Sequence, residues 1–223
     1  MTTSAEENYL KAILAISLKT TENISTNAIS DEIGTSAASV TDMLKKLQDK
    51  KLIKYEKYKG VSLTKKGNNS ATSIIRKHRL WETFLVKNLN FDWGEVHEIA
   101  EQLEHIKSEK LIEKLDAFLN YPMFDPHGEA IPTKDGNIAS NTNIPLNELS
   151  VEEKGNVMGV NLDNKSFLDY LTKLKISIGS KIKIVEKIKF DQSLCIRINN
   201  TNQHISNDVA KHILIKIAKH GTV

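Results

Sequence analysis

Ser25–Lys66 reads STNAISDEIGTSAASVTDMLKKLQDKKLIKYEKYKGVSLTKK, and its punctuation decides the architecture of the first third of the chain. Ser25 is of the N-cap type, and the spacing from Thr26 to Ile33 predicts a short helix that stops at Gly34. A tight Gly34-Thr35-Ser36 link leads into a second helix, Ala37 to about Lys50, with Val40, Met43, Leu44 and Leu47 on one face. Then KLIKYEKYKGVSLTKKG alternates in two short segments around Lys59-Gly60, the pattern of a β-hairpin. Upstream, residues 5–19 place Tyr9, Leu10, Ile13, Ile16 and Leu18 at near-helical spacing. Helix, short helix, turn, helix and hairpin, in that order, make a winged helix-turn-helix.

Such a helix fits the DNA major groove, where its first residues reach base edges while flanking groups hold phosphates. Ser36, Ala37, Ala38, Ser39, Thr41 and Asp42 open the second helix and are small or polar. Lys45 and Lys46 follow one turn later, and Thr26 begins the preceding helix. The hairpin adds Lys54, Lys57, Lys59, Lys65 and Lys66, with Tyr55 and Tyr58 interleaved. Residues 1–77 hold 13 Lys/Arg against 8 Asp/Glu, a net of +5. A helical hairpin used only for packing is the competing reading; the basic wing favours double-stranded DNA.

Downstream, the pattern predicts a long helix from about Lys66 to Asn88, a second from Trp93 to about Ser108, and a third over 109–120. At about 100° per residue, His97, Glu101, Glu104 and His105 of the second fall on one arc. Ile99, Leu103 and Ile106 fall opposite. His78 and Glu82 share a face of the long helix by the same four-residue spacing as His97 and Glu101. Imidazoles and carboxylates gathered in this way suit a divalent metal. Residues 78–125, with 5 Lys/Arg against 10 Asp/Glu, a net of −5, fit a cation. A metallohydrolase is the alternative, but His-Glu-x-x-His, a Gly-rich phosphate loop and Gly-x-Ser-x-Gly are lacking.

Residues 121–145 contain all four prolines and read as a linker or extended connection. Beyond it, GNVMGVNL, KIKIVEKI and LCIRINN are β-like. A helix is expected from Ser166 to Leu174 and a short one near Asn207, so residues 146–223 suggest a small barrel. The single cysteine, Cys195, lies in a strand-like run as a core residue and suits a reducing cytoplasm. The acidic N-terminus is unlike a secretory signal. No apolar run approaches the roughly 20 residues of a membrane span.

In ENYLKAI, YEKYKGVSLTKKG, RKHRLWETFL, EVHEIAEQLEHIKSE and DPHGEAIP the chain resembles the diphtheria-toxin-repressor family of metal-dependent transcriptional regulators, and its manganese-responsive branch most closely. The resemblance covers essentially the whole chain. It implies a mainly α protein: a winged helix-turn-helix (1–66), a helical metal-binding and dimerisation domain (67–124), a linker (125–145) and a small SH3-like β-barrel (146–223). It further implies a cytoplasmic homodimeric repressor of operator DNA, not an enzyme, with no membrane and no small-molecule substrate. His78, Glu82 and His97 match the family's ancillary metal trio, Glu104 and His105 its Glu-His pair, and Glu101 the place of its cysteine. A carboxylate there favours Mn²⁺, with Fe²⁺ as runner-up and Zn²⁺ or Co²⁺ binding in vitro. Asn8 stands where manganese-type members have Asp, and can offer a neutral ligand. Lys11 stands where they have Glu, and a protonated Lys cannot coordinate.

Overall fold

Thr3 opens the first helix with a reciprocal cap: its side chain accepts from the Glu6 N–H, while the Glu6 carboxylate accepts from the Thr3 N–H. The computed structural model describes residues 2–20, 23–56, 59–139, 143–162 and 164–217. They fall into two units: Met1–His78 with Glu101–Ile112 and Pro132–Ile138, and Arg79–Ala100 with Glu113–Ile131 and Ala139–Val223.

In the first unit, α1 (Ser4–Lys19), α2 (Thr26–Ile33) and α3 (Ala37–Asp49) precede a hairpin of β1 (Ile53–Glu56) and β2 (Gly60–Leu63). Ser25 and Ser36 cap α2 and α3, each accepting from a backbone N–H three residues on. Gly34 ends α2 in the left-handed region at φ 71°. The hairpin is antiparallel with Ile53 opposite Leu63, and Ile24 adds a bridge to Val61. Leu10, Ile13, Ile29, Val40, Leu44, Leu47 and Ile53 form the core between them. The winged helix-turn-helix is therefore as the spacing predicts.

The helix α4 (Lys65–Leu89) continues into the second unit; α5 (Val96–Leu103) and α6 (Glu109–Phe118) follow. Here one expectation needs correction. The helix that carries the cluster ends at Leu103, not near Ser108, and Glu104 and His105 occupy the turn closed by the Ile106 N–H on the Leu103 carbonyl. These two residues leave the helical path because each has a partner distant in sequence: Glu104 meets Lys11 and His78, and His105 meets Glu7. Long-range pairing overrides helix propensity, which is only a weak prior. The buried positions here are Val96, Ala100 and Glu104, while the expected apolar stripe of Ile99, Leu103 and Ile106 is only partly buried.

The second unit carries a six-stranded antiparallel sheet in the order β3-β8-β4-β5-β6-β7. Its strands are β3 (Ile144–Pro145), β4 (Lys154–Val160), β5 (Lys181–Lys187), β6 (Leu194–Ile198), β7 (Thr201–Ile205) and β8 (Ile213–Ile217). Register shifts at Val157/Gly159 and Ile184/Glu186 bend it, and α7 (Lys165–Lys173) and α8 (Asn207–Ala210) cover it. This is the expected SH3-like domain, with Cys195 buried in β6. The proline-containing stretch holds more structure than a connection: Asp125, His127, Ala130 and Ile131 are buried, and Phe124 bridges Ala130.

Gly67, in the first turn of α4, is seated so close to β1 that a Cβ would lie 1.9 Å from the Leu52 carbonyl oxygen. Helix propensity alone makes Gly→Ala stabilising by about 1 kcal/mol; the clash reverses the sign. Gly67→Ala is expected to destabilise by about 2 kcal/mol, an overpacking cost, measured as a lowered urea midpoint at unchanged m-value.

Candidate metal centres and DNA-facing surface

In the first unit, α1 presents Glu7, Asn8 and Lys11, α4 ends its share with His78, and the turn after α5 presents Glu104 and His105. Glu104 is fully buried. Its Oε2 accepts from His78 Nδ1 at 2.6 Å and from Lys11 Nζ at 2.8 Å, and Lys11 also reaches Glu101 Oε1 at 3.3 Å. Since an ionised carboxylate only accepts, His78 carries its proton on Nδ1, which leaves Nε2 as the nitrogen able to take a metal. Burial alone raises the Glu104 pKa; the His78 hydrogen bond and the Lys11 charge outweigh it and hold the group below its usual range. Glu7 Oε2 accepts from His105 Nδ1 at 2.7 Å. Two buried oxygens, Glu104 Oε1 and Asn8 Oδ1, have no hydrogen-bond partner among the described residues.

The second unit builds a different cluster. Glu82 of α4, Asp125 and His127 are all buried, and one ligand atom from each lies within 4.8 Å of the others. His127 Nδ1 stands 3.7 Å from Glu82 Oε2, and His97 Nδ1, on a half-exposed ring, 3.4 Å from Glu82 Oε1. His127 Nε2 donates to the Trp93 carbonyl at 2.8 Å, and the two rings stack. That bond orients the imidazole with Nδ1 towards the carboxylates, the outer-shell arrangement that metal-ligating histidines use. Asp125 Oδ1 accepts from the His127 and Glu129 N–H groups, while the buried Oδ2 has no hydrogen bond among the described residues and lies 3.6 Å from Arg79 Nε.

Electrostatics mark the same group. Burial, reinforced by the charges of Glu82 and Glu129, pushes Asp125 up to about 7. For His127, burial acts downward, but the Glu82 and Asp125 carboxylates and the Trp93 carbonyl outweigh it and raise the pKa to about 9. The backbone holding His127 is unusually close to β4. Gly128 has φ +83°, a Cβ on it would meet the Met158 carbonyl oxygen at 1.9 Å, and Val160 N–H donates to the His127 carbonyl.

The sequence therefore finds Glu82, Glu104, His105, His78 and His97 as candidate ligands. His97 pairs with Glu82, Glu104 with His78 and Lys11, and His105 with Glu7. It misses Asp125, His127 and the positioning role of Glu7. The signal was present in Asp125-Pro126-His127-Gly128, where a carboxylate and an imidazole two residues apart sit on a glycine turn within the acidic segment.

At the start of α3, Ser36, Ala37, Ala38 and Ser39 are exposed, as are Asp42, Lys45 and Lys46. Thr41 spends its hydroxyl on the Ala37 carbonyl, and Thr26 is half-buried at the start of α2. Lys45 pairs with Asp42 and Lys59 with Glu56, exposed pairs of little energetic weight that phosphate can replace. Lys57 and Tyr58 lie outside the described residues, and Tyr55 is half-buried against the core.

Three family models match the chain: the iron dependent repressor N-terminal DNA binding domain over residues 1–61, the iron dependent repressor metal binding and dimerisation domain over 64–133, and the FeoA domain over 144–217. A probable metal transport system membrane protein of Chlamydia trachomatis serovar D is 44% identical over 73 residues, 33% of this chain, and the chain spans only 16% of that protein's length. An uncharacterised HTH-type transcriptional regulator of Methanocaldococcus jannaschii is 34% identical over 113 residues, 51% of this chain and 90% of that protein. The solved structure of the manganese regulator SloR is 35% identical with a TM-score of 0.72, covering 96% of this chain and 98% of that chain. No described helix of this chain is long and apolar enough to cross a membrane. The metallohydrolase alternative finds no support in these relationships. The chain belongs to the diphtheria-toxin-repressor family of metal-dependent transcriptional regulators, whose members bind DNA and are not enzymes.

Proposed function

We propose that the protein is a homodimeric repressor that binds double-stranded operator DNA when divalent metal fills its buried carboxylate–imidazole centres, and that it governs metal-ion supply in the cytoplasm. One observation carries the reading: Asn8 Oδ1, Glu104 Oε1 and Asp125 Oδ2 are buried oxygens without a hydrogen bond among the described residues, each in a cluster of metal-ligand type. Leaving such an atom unsatisfied costs about 1–3 kcal/mol, and a coordinated cation removes that cost.

Glu82, Asp125 and His127 form one ligand set, and Asn8, Glu101, Glu104 and His105 a second. His78 and His97 complete the set, with His78 acting through Nε2. These donors are oxygens and imidazoles without thiolate, which favours Mn²⁺; Fe²⁺ is the alternative, and Zn²⁺ or Co²⁺ can occupy the same donors in vitro. Bound metal supplies fixed positive charge. The chain's own part is to hold α1 to the turn after α5, because Asn8 and Glu7 lie on α1 while Glu104 and His105 lie on that turn. Since α1 packs against α2 and α3, fixing α1 restrains the helix that would enter the major groove. Ser36 to Ser39 and Asp42 then face base edges, with Thr26, Thr41, Lys45, Lys46 and Lys59 around them. Phe118, Tyr121 and Met123, exposed at and beyond the end of α6, suit a dimer surface. Two-fold pairing sets recognition helices on half-sites a DNA turn, or a multiple of it, apart.

Fluorescence anisotropy on promoter DNA from the host, titrated with Mn²⁺, Fe²⁺, Zn²⁺ and chelator, is expected to show binding only with metal. Metal-independent binding would sink the mechanism, and an unchanged metal response in Asp125→Ala/His127→Ala would remove that ligand set. Lys46→Ala is expected to weaken binding to all sequences alike and to lower the salt slope by about 1. Metal must displace protons from Asp125, with its pKa of about 7, and from His127, at about 9. Mn²⁺ affinity at their centre should therefore rise with pH across that window, with proton release visible by calorimetry in buffers of different ionisation enthalpy.

A further inference from the structure

The carboxylates expected to take metal in the first unit already hold a cation. Lys11 Nζ lies 2.8 Å from Glu104 Oε2 and 3.3 Å from Glu101 Oε1. The Lys11 side chain is 18% exposed and that of Glu104 0%, so this is a pair withdrawn from water and not a surface contact. Lys11 stands one turn along α1 from Asn8 and shares a face with Glu7, which holds His105. The ammonium is thus delivered by the same helix that presents the neutral amide of Asn8.

We infer that Lys11 is a tethered competitor for the metal, a specificity-determining residue that sets how much divalent cation is needed to load this centre. The inference rests on the reading of Asn8, Glu101, Glu104 and His105 as metal ligands. A hard dication sits roughly 2.0–2.6 Å from carboxylate oxygens. An ammonium within 3.3 Å of the same two carboxylates would face it across a few ångströms of low-dielectric interior. The two positive charges exclude one another, so loading is an exchange: Lys11 leaves and metal enters. A four-carbon stem with a compact charge at its end can swing out to water, where a planar guanidinium that forks onto both carboxylates would be held longer. Monovalent ions gain nothing from the exchange, since they replace one unit charge by another. Only a dication, with a stronger hold on Glu101 and Glu104, displaces the tether. The same contact, with that of His78, compensates Glu104 in the metal-free protein.

A merely structural Lys11 and a competitor differ in sign. Removing a structural lysine lowers the stability of the metal-free protein and leaves metal binding unchanged or weaker. Removing a competitor lowers metal-free stability and tightens metal binding. The test uses full-length protein with Glu82→Gln/Asp125→Ala/His127→Ala as background, so that the ligands around Glu82 are silent, and Mn²⁺ alone as probe in calorimetric titration and thermal melts. Lys11→Met in that background is expected to tighten Mn²⁺ binding about tenfold, a coupling of ordinary size, and to lower the metal-free midpoint. Lys11→Arg is expected to keep or weaken the parent affinity. Unchanged or weaker Mn²⁺ binding in Lys11→Met overturns the inference while leaving the ligand reading intact. Retained Mn²⁺ binding in Glu101→Gln/Glu104→Gln overturns the ligand reading and the inference with it. If Lys11→Met does not fold, Lys11→Gln carries the same expectations and is overturned by the same results.

Discussion

The carboxylates of Glu82, Glu104 and Asp125 are withdrawn from water, and a buried carboxylate has to be matched by positive charge or neutralised by a proton. The two units meet that requirement in different ways. Around Glu104 the compensation is tethered: Lys11 and His78 both converge on Oε2. Around Asp125 it is largely protonic: the acid is pushed up to about 7, His127 is held charged to about 9, and Arg79 stands off at 3.6 Å. Either solution leaves acceptor oxygens unsatisfied, which is the state that a divalent cation relieves.

That difference gives the two centres different thermodynamic handles. A centre compensated by protons binds metal in competition with hydrogen ions, and its occupancy follows pH. On the proposed reading, a centre compensated by an ammonium binds metal in competition with a side chain whose local concentration is fixed by the fold. The helix α1, which carries Lys11, also packs on α2 and α3 of the winged helix-turn-helix.

Much of this was legible in the sequence, and what was not has a physical cause. The winged helix-turn-helix could be read because Ser25, Gly34, Ser36 and the alternation around Gly60 are local signals, and local hydrogen bonds enforce them. The second half of the cluster helix could not be read. Nothing in Glu101-Gln102-Leu103-Glu104-His105 forbids a helix, and its end at Leu103 comes from partners more than twenty residues distant in sequence for Glu104 and about a hundred for His105. A helical arc placed His97 with Glu104 and His105, while the family resemblance placed it with Glu82, and His97 Nδ1 does lie 3.4 Å from Glu82 Oε1. Asp125 and His127 were hidden for the opposite reason. Prolines and glycines around them signalled a connection, and only the fit of Gly128 against Met158 turns that stretch into a rigid ligand loop.

That fit also gives the β domain a task other than donating ligands. Its strand β4 takes the His127 carbonyl on Val160 N–H and leaves no room for a side chain at Gly128, while α7 anchors Trp93 through Thr172. Trp93 in turn accepts from His127 Nε2 and stacks on its ring. The imidazole is therefore fixed in tautomer by Trp93 and in position by β4. A ring held at both points has no freedom to follow whichever ion arrives. On the proposed reading the centre admits ions that fit the donors as placed, and the β domain takes part in that selection by fixing His127.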